Sequence, residues 1–201
     1  MEKKKWGDRR DGTRVRGLDA MHVFMPYLLP GRTNNEAFVN ESVDLSAINA
    51  FLEKKNADNP AYKYTIFHVV TAALAKTIYL RPKLNRFIAG HRLYQRNELL
   101  LAFVAKRIFS DDGDEALVLV NCDGDTTIDS LHDTICKKVS KNRKEGTVDD
   151  TTKIMNALSG LPRFLLRFIV WVLNKLEYHD MLPSFLRYAD PYHSSVFISN
   201  L

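Results

Sequence analysis

TIFHVVTAALAKTIYLRPKLNRFIAGHRLYQ, residues 65–95, is the stretch on which the fold class turns. Thr65 opens it, Phe67, Val70, Leu74 and Ile78 recur at helical spacing, and Pro82 forbids continuation, so the pattern predicts a helix ending just before Pro82. Two short runs follow, Arg86 to Ala89 and Arg92 to Gln95, joined by Gly90-His91. A two-residue connection with glycine between strand-like runs predicts a β-hairpin. A helix feeding directly into antiparallel strands points to an α+β domain.

Working outward, Leu99 to Ile108 reads as an apolar strand. Ala116 to Val120 reads as a buried strand after the acidic turn Asp111-Asp112-Gly113-Asp114. Thr127 or Asp129 starts a helix running to about Lys144, with Gly146 as its stop. Helices are expected near Asp150–Leu158 and Leu161–Leu176, then a loop at Tyr188–Pro191 and a terminal strand from Val196. Towards the N-terminus, Asp44 or Ser46 caps a helix from Ala47 to about Asn56, with Ile48, Phe51 and Leu52 on one face. Ala37 to Val43 reads as a strand, Pro30 to Asn35 as a turn. The expected architecture is α+β, with helices packed on one large mixed sheet.

The last six residues, Val196-Phe197-Ile198-Ser199-Asn200-Leu201, are strand-like and carry no polar tail. The expectation is therefore a basic N-terminal arm, 1–35, followed by 36–201 as the larger, N-terminal part of a domain that continues further. Alone, such a piece is expected to be poorly stable, because its sheet lacks strands.

The net charge of +5 is concentrated in Lys3-Lys4-Lys5, Arg9-Arg10, Arg14 and Arg16, and again in Lys137-Lys138, Lys141 and Arg143-Lys144. Without aromatic-interleaved ribonucleoprotein motifs or zinc-finger spacing, these clusters read as solvated faces, and no nucleic-acid partner is expected. Cys122 and Cys136 match neither a metal pair nor a disulfide framework, and a charged start replaces any secretory leader, so a reducing cytoplasm is expected.

The segment LPRFLLRFIVWVLNKL, residues 161–176, is too short and too charged to span a bilayer, which needs about 20 apolar residues. Arg163 and Arg167 share a helix face and leave Phe164, Leu165, Phe168, Ile169, Val172 and Leu173 for burial. Ordinary packing is the leading reading and membrane contact is not expected; an acyl pocket or interfacial helix using Phe164, Phe168 and Trp171 is the alternative.

None of the histidines, His22, His68, His91, His132, His179 and His193, lies in an HExxH or HxxxDG context or at ligand spacing from a cysteine. His68 reads as a core or boundary histidine and His193 as structural. Phosphate loops and GxSxG elbows are absent, the acidic turn reads as a turn rather than a cation site, and no metal is expected.

Pattern adds what chemistry alone withholds. Val39-Asn40-Glu41-Ser42-Val43-Asp44-Leu45-Ser46-Ala47-Ile48-Asn49-Ala50-Phe51 resembles the first core strand and helix of the acyltransferase domain of 2-oxo acid dehydrogenase complexes. Tyr64 to Phe87 resembles the family's next helix and its Pro-x-Leu-Asn exit, and the Phe87–Gln95 hairpin and Leu99–Ala105 continue in order. Val196-Phe197-Ile198-Ser199-Asn200-Leu201 resembles its active-site strand. Chloramphenicol acetyltransferase belongs to the same superfamily.

The resemblance implies a chloramphenicol acetyltransferase-like two-layer sandwich, incomplete here, and homotrimers with active sites between subunits. It implies transfer of an acyl group between a coenzyme A thioester, or a lipoyl thiol, and a small hydroxyl or thiol acceptor. In that chemistry a histidine is general base and a Ser or Thr hydroxyl stabilises the tetrahedral oxyanion. By position in the strand motif Ser199 is the oxyanion donor, whereas the HxxxDG motif that carries the base is missing from these 201 residues. The isolated chain is accordingly expected to be inactive. A non-catalytic trimeric assembly module of the same fold is the alternative, and an acyl-chain or membrane-surface binding protein is a third.

Overall fold

In the computed structural model, which describes residues 5–29, 31, 35–106, 115–144, 160–187 and 193–199, Gly90 and His91 take φ values of 54° and 59°. Two successive positive φ angles are what a two-residue hairpin needs to match the right-handed twist of its strands. The expected hairpin is therefore present: β2 (Arg86–Ala89) pairs antiparallel with β3 (Arg92–Arg96), Phe87 opposite Tyr94.

The chain forms two compact units, Met1–Asn97 with Asp123–His132, and Glu98–Cys122 with Asp133–Leu201. In the first, β1 (Gly12–Arg14) adds to the hairpin on the β3 side, giving the order β1-β3-β2. Helices α1 (Ala20–Leu28), α2 (Ser46–Asn56) and α3 (Ile66–Leu80) accompany this sheet. Asp19 caps α1 by accepting from the His22 amide, and the Asp44 carboxylate accepts from the amide and hydroxyl of Ser46 as α2 begins. A 3-10 turn, Pro82–Leu84, leads from α3 into β2.

Helix α3 keeps its predicted span but turns a different face inward. His68, Thr71, Ala75 and Ile78 are buried, whereas Val70 from the expected stripe is exposed. IFHVVTAALAKTIYL is apolar nearly all round, so its pattern does not single out one face; the small side chains of Thr71 and Ala75 allow close approach on the face that is buried.

The second unit holds β4 (Leu99–Lys106), β5 (Glu115–Cys122) and β6 (Val196–Ile198) in the order β5-β4-β6. β5 is antiparallel to β4 from Leu99 opposite Cys122 to Lys106 opposite Glu115. β6 runs parallel to β4, with Leu101 beside Val196 and Phe103 beside Ile198. The central strand is the core: Leu101 and Ala102 are fully buried and Leu99, Leu100 and Phe103 nearly so. β5 alternates instead of being buried throughout, with Ala116, Val118, Val120 and Cys122 inward and Asn121 exposed. Helices α5 (Arg163–Tyr178) and α6 (Ser184–Arg187) complete the unit. Helix α4 (Ile128–Lys144) starts in the first unit and ends in the second, burying Leu131 and Ile135.

The class is α+β, but three expectations change. In place of one large mixed sheet, the described residues form two three-stranded sheets, one antiparallel and one mixed. β1, which carries no strand signature, supplies the edge that completes the first. Ala37–Val43 is not a strand: it is irregular, with Phe38, Val39 and Val43 exposed, and among the described residues nothing pairs with its backbone. A β-type sequence without a ladder partner has no means of satisfying its amides as a strand. Finally, no residue of α5 is fully buried: of the six side chains expected inside, Leu165, Ile169, Val172 and Leu173 are partly buried, whereas Phe164 and Phe168 are exposed. The acidic turn at 111–114, the helix near 150–158 and the loop at 188–191 lie outside the described residues.

Candidate functional site

Strand β6 presents the candidate. Its entry is pinned from both directions: the Ser195 amide donates to the Leu100 carbonyl at 2.7 Å, and the Leu100 amide donates to the Ser195 hydroxyl at 3.0 Å. Ser194 is buried beside it. These bonds fix the register in which Val196 and Ile198 lie half-buried and Phe197 faces outward. Ser199 follows the last paired residue directly, and its side chain is exposed. Among the described residues no hydrogen bond engages its hydroxyl. The ladder therefore sets the backbone position from which Ser199 projects, and its hydroxyl is reachable from solvent.

His193 lies at the opposite end of β6. Its Nε2 is 3.6 Å from a Glu177 carboxylate oxygen. His193 is six positions before Ser199, and the three strand residues between them alone span about 10 Å. The structure thus does not bring His193 and Ser199 together.

A second group of titratable side chains, not anticipated as a cluster, lies in the first unit. Thr65 caps α3, and its amide donates to Nδ1 of His68 at 3.1 Å. Nδ1 is therefore the acceptor and the neutral ring carries its proton on Nε2. The ring centroids of His68 and His132 are 4.8 Å apart, and both residues are buried. His132 Nε2 donates to the Tyr62 carbonyl at 3.0 Å, and the Tyr64 ring stacks on His132 at 3.9 Å. Tyr64 then donates its hydroxyl proton to Asp129 at 2.9 Å, and Lys55 binds the same carboxylate at 2.7 Å.

Electrostatics follow from this layout. Burial, reinforced by the neighbouring His132, lowers the His68 pKa to about 4. The Lys55 ammonium, then the Tyr64 hydroxyl, hold the Asp129 carboxyl below its ordinary range. The ring is therefore neutral at neutral pH, with Nδ1 accepting from the Thr65 amide. His68 is thus buried, as its apolar helix neighbours predict, whereas its neighbour His132 is 64 positions away and only the fold joins them.

No family model matches the chain, and no curated protein matches it. Among solved structures, the chain is similar to the cubic core of the pyruvate dehydrogenase multienzyme complex, at 20% identity and a TM-score of 0.43. The overlap takes in 52% of this chain and 43% of that one, so the chain spans less than half of the length of the protein it matches.

Proposed function

We propose that the chain supplies the oxyanion half of an acyltransferase site. In this reading a thiol or hydroxyl acceptor attacks the carbonyl of a coenzyme A or lipoyl thioester, the carbonyl oxygen becomes anionic, and Ser199 donates a hydrogen bond to it. The thiolate then leaves and an acyl ester or thioester of the acceptor forms. The proton of the attacking group passes to a histidine that is not among these 201 residues, contributed in a homotrimer by the neighbouring subunit. Support comes from the ordered resemblance of the sequence to acyltransferase domains. The observation that carries the reading is that Ser199 stands exposed at the end of a strand locked in register against the buried β4.

The test is release of free coenzyme A from acetyl-coenzyme A by the complete gene product, with a dithiol acceptor. Ser199→Ala lowers kcat about 10²–10³-fold with KM little changed, the usual cost of one oxyanion donor. Equal rates for both proteins defeat the assignment of Ser199. If the wild-type protein shows no turnover yet sediments as a trimer, the non-catalytic assembly module replaces the enzyme. The 201 residues alone are expected to release no coenzyme A.

A further inference from the structure

Helix α5, RFLLRFIVWVLNKLEY, is unusual in what it leaves in water. Its half-buried side is formed by Leu165, Leu166, Ile169, Val172, Leu173 and Leu176. Its outward arc carries Phe164, Phe168, Trp171 and Tyr178, each more than half exposed. At 100° per residue these aromatics share that arc with Arg163, Arg167 and Lys175, all exposed, while the only acid of the helix, Glu177, falls on the half-buried side.

The rings are organised rather than scattered. Phe168 stacks on Trp171 at 6.1 Å, and the Lys175 ammonium lies 6.0 Å from the rings of both Trp171 and Tyr178. Among the described residues no helix is long and apolar enough to cross a membrane, and 16 residues make a rod of about 24 Å that suits the plane of an interface.

We propose that the outward face of α5 docks on an anionic lipid surface, with Phe164, Phe168 and Trp171 entering the headgroup region and Arg163, Arg167 and Lys175 contacting lipid phosphates. Charge complementarity selects this occupant. Three cations and no acid on one arc repel an identical arc, so a second copy docked face to face is disfavoured, whereas a negative surface neutralises all three. Aromatic rings beside Arg and Lys are the composition that anchors interfacial helices, the rings at the acyl boundary and the cations at the phosphates. The face is independent of Ser199, so the inference stands or falls apart from the acyltransferase reading.

The test is co-sedimentation of the full chain with vesicles of phosphatidylcholine alone or mixed with phosphatidylglycerol, at low and high salt. Tryptophan emission is followed in a Trp6→Phe background, which leaves Trp171 as reporter. Binding to the anionic vesicles only, weakened by salt, with a blue shift of Trp171, is expected. Each juxtamembrane cation contributes about fivefold, so Arg163→Gln/Arg167→Gln/Lys175→Gln lowers affinity about 100-fold. Phe168→Ser/Trp171→Ser abolishes sedimentation while its far-ultraviolet circular dichroism stays unchanged. Absence of binding, or equal binding by the triple variant, overturns the proposal. Lipid-independent dimerisation lost in Phe168→Ser/Trp171→Ser overturns it in favour of a second copy, and binding of an acidic protein without vesicle binding assigns the face to protein.

Discussion

His68 is neutral in the folded protein because protonation would place a cation in a buried site beside His132 and set an N–H against the Thr65 amide. In the unfolded chain the same ring has its ordinary pKa of 6.5, against about 4 when folded. Between those values the unfolded state binds more protons, so stability from this group is complete above pH 6.5 and is lost as pH falls towards 4. A shift of that size corresponds to about 3 kcal/mol. Urea unfolding of wild type and His68→Gln at pH 7.5 and pH 4.5 checks it. The wild-type protein loses more stability on acidification than the variant; equal losses remove His68 as the cause. At this scale the strand beginning at Val196 is legible in the sequence, being a local property. The sequence hid the His68–His132 pair, because adjacency across 64 positions leaves no periodicity to read.

Elements were legible where the chain itself contains their partner. The hairpin of β2 and β3 needs only a connection with left-handed backbone and two strand-like flanks, all within 11 residues. Ala37–Val43 has a comparable composition but no adjacent partner, and it stays irregular. The opposite error occurs at β1, where GTR lacks β propensity and is held by tertiary contact instead. Gly12 shows how close that contact is: a Cβ there would lie 2.8 Å from the Phe87 ring and 3.1 Å from the Gln95 carbonyl oxygen. The ring has little room to yield, being stacked on Tyr94 at 5.5 Å and covered by the Arg96 guanidinium at 4.6 Å. Gly12→Ala is therefore expected to cost about 1–3 kcal/mol of unfolding free energy. Gly160→Ala, which meets nothing within 4 Å, is the control and changes stability by less than about 0.5 kcal/mol. Equal effects of the two substitutions refute the close approach.

Across the whole molecule, the α+β class followed from local signals, and the division of strands between two sheets did not. Which strands share a sheet depends on long-range pairing: β1 finds β3 over some 80 residues, and β6 finds β4 over 95. The consequence is an uneven distribution of protection. β4 has a bonded neighbour on each side and buried side chains on both faces, so exposing its amides requires breaking two ladders and uncovering Leu101 and Ala102 together. β6 is bonded over only three residues, though Ser195 ties its entry at both backbone and hydroxyl. Residues 36–45 pair in no ladder among the described residues, and all but the part-buried Leu45 are exposed. Native-state hydrogen exchange should therefore rank the Leu100–Phe103 amides slowest, at the free energy of global opening, with Val196–Ile198 intermediate and residues 36–45 exchanging within the dead time. Ser195→Ala deletes the hydroxyl that receives the Leu100 amide and should speed exchange at Leu100 and in β6 while leaving β2 and β3 unchanged. Protection of residues 36–45 comparable to β4 would show that this segment is paired after all and would restore the strand that its composition suggests.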